Sequence, residues 1–267
     1  MKNKIKRIWE KMSVPRRSNA RSAGVVGLLA ALLISPVTAI AQEAEPRAYL
    51  YAAYYVCDVA NQLDMDRLVE EYEKPVFDQK VQDGDLMAWG YLSHSTGGKW
   101  RRAQFHSSET LAGALGTQVS VFNEIYSAEN AGALQERAEA CEAHDDYIWV
   151  QMDGSPVDAE RGNVSVSVYE VCERTREARA DEIFSEIFAP RLNKLAESGA
   201  IVSWNRLNHY IGGPYRRLLT VTGHNQAENY LAYANMGNDL NDSERELQRE
   251  YLDICGVHDD YLWDIVH

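Results

Sequence analysis

The sequence predicts an α+β protein made of two tandem copies of one βαββαβ unit. Two observations predict it. The chain matches itself at an offset of 115 residues: Cys57, Pro75, Gly84, Trp89, His94, Gly97-Gly98 and Arg101-Arg102 recur as Cys172, Pro190, Gly199, Trp204, His209, Gly212-Gly213 and Arg216-Arg217. The offset then slips to 114, and CEAHDDYIW from Cys141 reappears as CGVHDDYLW from Cys255. A period of this length marks a duplicated structural unit. The second observation is that both copies carry the same succession of strand and helix patterns.

Residues 49–59, rich in Tyr and Val without helical spacing, read as the first strand. Asp64 or Asp66 then caps a helix running through Leu68, Val69 and Tyr72 towards Gly84. In the second copy Ile183, Phe184, Ile187, Phe188, Leu192 and Leu195 keep an apolar stripe at helical spacing over 180–198. Pro75 and Pro190 fall inside these helices and should kink them, since each removes a backbone donor. Gly84 and Gly199 suit the left-handed residue that ends a helix. Residues 86–92 and 201–207 read as second strands, the Gly-Gly pairs as hairpin turns, and 100–106 and 215–222 as third strands. Helices over 110–126 and 226–236 follow, then polar helices over 129–140 and 243–254. Residues 147–150 and 261–266 close the units as fourth strands.

The chain thus divides into an export segment (1–41), a first repeat (47–152), a linker (153–163, holding Gly154, Pro156 and Gly162) and a second repeat (164–267). The export segment is read from a basic stretch of four Lys and four Arg, an apolar run over 25–34, and Ala39-Ile40-Ala41 as a small-x-small cleavage site. Pro36 and Thr38 interrupt the run and argue against an uncleaved anchor. Periplasmic or secreted localisation follows. Without that segment 19 basic residues face 39 acidic ones, a net charge of −20. Such a surface repels phosphate backbones and anionic lipids, which excludes nucleic acid and the membrane surface as expected partners.

All four cysteines occupy repeat-equivalent positions, and an even number in an exported chain suggests disulfides, though spacing leaves three connectivities open. No CxxC occurs. The order β-α-β-β-α-β is that of the ferredoxin-like split βαβ. Two such copies in one chain resemble the dimeric α+β-barrel superfamily, fused as an intramolecular pseudo-dimer, and secreted members of unassigned activity in particular. The resemblance implies a sheet order 4-1-3-2, in which strands 1 and 4 are antiparallel neighbours. It therefore implies the pairs Cys57–Cys141 and Cys172–Cys255. It also implies a monomer.

The same sheet order gathers one rim: His94, Arg101, Arg102, His144, Asp145 and Asp146 in the first copy, and His209, Arg216, Arg217, His258, Asp259 and Asp260 in the second. One reading is a polar pocket that binds a carboxylate or moves a proton through His94 or His209. The other is a structural clasp, with His-Asp-Asp as a turn and Arg101 or Arg102 paired to Asp145 or Asp146 across the rim. The Trp pairs Trp89/Trp204 and Trp149/Trp263 read as core.

No nucleophile elbow, zinc-protease helix or phosphate-binding glycine loop is present. No metal site is expected. Haem in the superfamily uses an axial histidine on a helix, and no histidine lies within a predicted helix, so no cofactor is expected either. The function expected is therefore an exported small-ligand-binding or stress-related barrel protein that holds an apolar or aromatic molecule between sheet and helices. The alternative is a cofactor-independent, monooxygenase-like enzyme with a rim histidine as the proton-transfer group.

Overall fold

The computed structural model describes residues 48–267; the expected export segment lies outside them. The elements run β1 (Ala48–Val56), α1 (Gln62–Leu68), α2 (Lys74–Gln82), β2 (Ala88–Gly97), β3 (Arg102–Ser108), α3 (Leu111–Ile125), α4 (Ala131–Ala140) and β4 (Ala143–Gly154). They continue as β5 (Val164–Val171), α5 (Glu177–Ile183), α6 (Ala189–Glu197), β6 (Ser203–Ile211), β7 (Arg217–Gly223), α7 (Gln226–Ala234), α8 (Asp242–Cys255) and β8 (Val257–Ile265).

The eight strands form one closed antiparallel barrel in the order β1-β3-β2-β8-β5-β7-β6-β4. The first four strands contribute the run β4-β1-β3-β2 and the last four β8-β5-β7-β6. These runs do not stack as two separate sheets. They join edge to edge, through β2–β8 (Leu92 opposite Ile265) and β4–β6 (Gln151 opposite Leu207). Closure leaves no strand edge with unpaired amides, which removes the usual template for adding a foreign strand.

Strand alternation sorts the side chains into three cores. On β1, Ala53 and Tyr55 face outward under α1–α4, with Met65, Val69, Phe77 and Trp89. On β5, Val166 and Val168 face outward under α5–α8, with Ile183, Ile187, Leu192 and Trp204. The inward residues build an aromatic plug inside the barrel: Tyr54, Trp100, Tyr147, Trp149, Tyr169, Tyr261 and Trp263. Tyr147 stacks on Trp149 at 4.8 Å, and Tyr261 stacks on Trp263 at 5.1 Å, so these residues matched in the sequence share a ring geometry. The outer tryptophans are tied to helices by equivalent bonds, Trp89 to Asp78 and Trp204 to Asn193.

The expected proline kinks take a definite form. Val69–Glu73 and Phe184–Phe188 are π-helical turns directly before Pro75 and Pro190. The Lys74 and Ala189 amides reach back five residues, to Val69 and Phe184. The wider turn relieves the clash between a proline ring and the carbonyl four residues earlier. Gly84 and Gly199 adopt φ of +79° and +75° just past the helix ends, as expected of C-terminal caps. Asp64 and Asp66 do not cap α1. Asn61 precedes the helix, and Asp66 lies inside it. The fourth strand is longer than the sequence pattern showed and begins at Ala143, so His144–Asp146 sit in a strand rather than in a turn before it.

Candidate functional site

Both disulfides form, Cys57–Cys141 and Cys172–Cys255, each linking the end of the first strand of a half to the residues before its fourth. Beside them, the candidate rim residues divide between three different tasks. His94 accepts from the Arg101 guanidinium at Nδ1 (3.0 Å) and faces the Gly97 carbonyl with Nε2 (3.0 Å). His209 accepts from Arg216 in the same way, at 2.6 Å. Burial and the neighbouring arginines hold both histidines below the usual imidazole range, so they are neutral.

The expected pairing of Arg101 or Arg102 with Asp145 or Asp146 does not occur. Arg102 lies on the outward side of β3 and forms a bidentate pair with Asp66 of α1, its Nη2 at 2.6 Å. Arg217 repeats this with Asp181 of α5, at 2.7 Å from both Nε and Nη2. Strand alternation sends these guanidinium groups to the helices, where carboxylates one turn inside α1 and α5 meet them. Asp145 instead accepts from Trp100 and Lys99, both at 2.7 Å, and Asp259 accepts from the Tyr215 hydroxyl. His144 and His258 are exposed and face Asp146 and Asp260 along their own strands, at 3.2 and 3.7 Å.

Two buried networks went unseen in the sequence, because their members are not repeat-equivalent in type. In the first half Glu73 accepts from Arg137, Gln104 and Tyr126. In the second, Glu170 accepts from Arg206 at 2.6 Å and from Tyr251 at 2.7 Å. Glu170 also approaches Cys172 and Cys255, but both sulfurs are spent in the disulfide and offer no thiolate to a metal.

A cavity of about 100 Å³ lies inside the barrel, past the aromatic plug, and a larger one of about 580 Å³ lies outside it, bordered by Asp78, Trp89, Asp158, Arg161 and His267. None of the rim residues lines either. In the inner cavity the wall from β1–β3 is mostly apolar, with Leu50, Ala52, Leu92 and Phe105 beside Gln104. The facing wall from β5–β7 mixes Leu207 and Leu218 with Ser165, Ser167, Asn205, Thr220 and Thr222, and Gln151 of β4 lies beside them. The linker covers this end through Pro156, Val157, Ala159 and Arg161. Gln151 is 1% exposed, and its amide oxygen has no hydrogen-bond partner.

The repeat gives this cavity its meaning. The plug is alike in the two halves: Tyr54 matches Tyr169, Tyr147 matches Tyr261, and Trp149 matches Trp263. The cavity walls are alike only in part: Leu92 matches Leu207, and Ala103 and Leu218 are both apolar, but other positions differ. Leu50 stands where the other half has Ser165, Ala52 where it has Ser167, Phe105 where it has Thr220, and Gly90 where it has Asn205. Sequence reasoning followed the matches, and the signal for this site was in the mismatches.

The fold is that of the dimeric α+β barrels. A provisionally named monooxygenase from Lactobacillus acidophilus NCFM superposes with a TM-score of 0.54 at 8% identity, over 82% of this chain and 93% of its own. An anthrone oxidase-like protein gives 0.50 at 13% identity (82% and 91%). The chlorite dismutase of Candidatus Nitrospira defluvii, in complex with imidazole, gives 0.51 at 7% identity (84% and 92%). At such identities the likeness is one of fold, and activity does not carry across. No family model matches the sequence. No curated protein matches it either.

A haem does not fit the cavity inside the barrel, whose volume of about 100 Å³ is too small for a porphyrin and whose lining contains no histidine, cysteine or methionine. The seven histidines lie in strands, in a loop or at the C-terminus, and none is helical. Among the described residues no helix is long and apolar enough to cross a membrane.

Proposed function

We propose that this chain is an exported ligand-binding protein: two fused ferredoxin-like copies whose shared barrel holds one small organic molecule beneath the linker. The observation that carries this is the asymmetry of the cavity. A duplicated unit needed only for stability has no reason to keep its aromatic plug in both halves while one wall turns from Leu, Ala and Phe to Ser, Ser and Thr. Hydroxyls facing a mostly apolar wall are what an amphipathic ligand requires for orientation as well as burial. Gln151, with an unmet acceptor, adds a polar contact that a ligand can satisfy.

The rim set has the opposite character. His94 with Arg101, and His209 with Arg216, are present in both halves, and neither histidine opens into the cavity. They read as the structural clasp beside each disulfide, and no feature favours the proton-transfer alternative. Export through residues 1–41 agrees with the two disulfides, which persist in oxidising compartments. A closed barrel completed within one chain agrees with a monomer.

The test is a thermal-shift screen of small organic molecules against the mature chain and against Thr220→Phe, which restores the residue found at Phe105. Stabilising molecules should lose their effect on the filled variant. A screen in which no molecule stabilises the unaltered chain, or in which the filled variant responds equally, contradicts the reading.

A further inference from the structure

The linker does more than cover the barrel. Arg161 reaches from it into the interior, where Nη2 donates to the Trp89 carbonyl at 2.9 Å and the guanidinium lies 5.2 Å over the Phe105 ring. Its Nη1 is buried and has no hydrogen-bond partner. No carboxylate is ion-paired to it among the described residues and none lines the cavity inside the barrel, although Asp78 and Asp158 line the outer pocket that Arg161 also borders. This contrasts with Arg102, Arg137, Arg206 and Arg217, each of which is buried or nearly so and each of which has an acidic partner. The space Arg161 occupies is made by Gly90, whose missing Cβ would stand 2.6 Å from Nη1. Arg161 as a whole is half-buried, but a guanidinium does not shed its proton in proteins, so its Nη1 end is buried without a counter-charge.

We infer that the barrel ligand is a short-chain carboxylate, whose anion pairs with Arg161 while its hydrocarbon tail packs against Leu50 and Phe105. The inference rests on the ligand-binding reading above and deepens it. Three features agree on this class. The free Nη1 offers a buried N–H to an anion, and a charge-assisted bond there is strong. On the facing wall Ser165 and Ser167 bond to one another and Thr222 bonds to Ser203, so the Thr220 hydroxyl is the donor for the second carboxylate oxygen. The volume of about 100 Å³ is smaller than the engineered cavity of about 150 Å³ that takes benzene, which limits the tail to a few carbons. The linker position matters too. Arg161 sits on the segment that closes the barrel, so an anion bound to it also fastens that segment.

The experiment is calorimetric titration of the mature chain with butyrate and with butyramide, which has the same shape and no charge. Butyrate should bind more tightly by about 10- to 100-fold, as expected for one charged hydrogen-bonded contact. Arg161→Met should abolish this preference while still binding butyramide. Equal affinity for acid and amide would overturn the carboxylate assignment and leave the barrel-ligand reading standing. Binding of neither, with the wider screen also silent, would overturn both. Should Arg161→Met fail to fold, Arg161→Lys serves in its place. It keeps the charge but shortens the reach and loses the planar fork, so an unchanged butyrate affinity in that variant would also contradict the role given to Arg161.

Discussion

A side chain at Gly90 would collide with the Arg161 guanidinium: its Cβ would stand 2.6 Å from Nη1 and 2.5 Å from the Phe105 ring. The backbone at Gly90 is ordinary extended strand, so the residue is glycine for space and not for conformation. Gly90→Val should therefore displace Arg161 from the barrel. The expected cost is about 1–3 kcal/mol, typical of overpacking, read as a shift in the urea midpoint. The same variant should lose the butyrate response. Full stability together with an intact response would show that Arg161 does not occupy this space.

The disulfides close loops with sequence separations of 84 and 83 residues. In the chain-entropy picture each contributes about 4–5 kcal/mol. Replacing Cys57 and Cys141 together by Ser should lower stability by a few kcal/mol in denaturant unfolding. A melting temperature unaffected by reductant would contradict it.

His106 carries a pH dependence. It is 2% exposed, stacks on Tyr51 at 5.4 Å, and its Nε2 faces the Ala114 carbonyl. Burial lowers its pKa to about 4. A histidine depressed in the folded state binds its proton more readily when unfolded, so stability falls as the solution is acidified. The contribution is complete above about pH 6.5 and is lost as pH falls through about 4; at about 1.4 kcal/mol per pH unit it is about 3 kcal/mol. His94 and His209 act in the same direction. His106→Gln should flatten the urea midpoint against pH across this window relative to the unaltered chain. An unchanged slope would show that His106 does not carry it.

Glu170 and Arg206 are 7% and 2% exposed and bonded to one another at 2.6 Å. Glu170→Gln leaves Arg206 as an unpaired buried cation and should cost about 3–5 kcal/mol. Replacing both by Met should cost far less, because it removes the stranded charge as well. Chemical denaturation of the two variants separates these outcomes. Equal losses would mean that packing, not charge, sets the cost.

Much of the fold was legible in the sequence. Matched Pro75 and Pro190, Gly84 and Gly199, and the two HDDY segments pointed to an α+β chain, and the structure closes its eight strands into one antiparallel barrel. The disulfide partners followed once the order of strands 1 and 4 was assumed. The site was not legible, for two physical reasons. Arg102 and Asp66, or Arg217 and Asp181, are 36 residues apart, and only the docking of helix on sheet brings them together. Arg161 lies in a polar connector with no repeat partner, and its burial depends on barrel closure through β2–β8 and β4–β6. Matching positions revealed what both halves share, whereas the cavity was built where Leu50 departs from Ser165 and Phe105 from Thr220.

The most direct measurement is a crystal of the protein soaked in butyrate, with the ligand located in the difference density. The expected result is a butyrate inside the barrel, its tail between Leu50 and Phe105 and its carboxylate on Arg161. A barrel filled by water alone, or butyrate found only at the rim or beneath the helices, would contradict the carboxylate assignment.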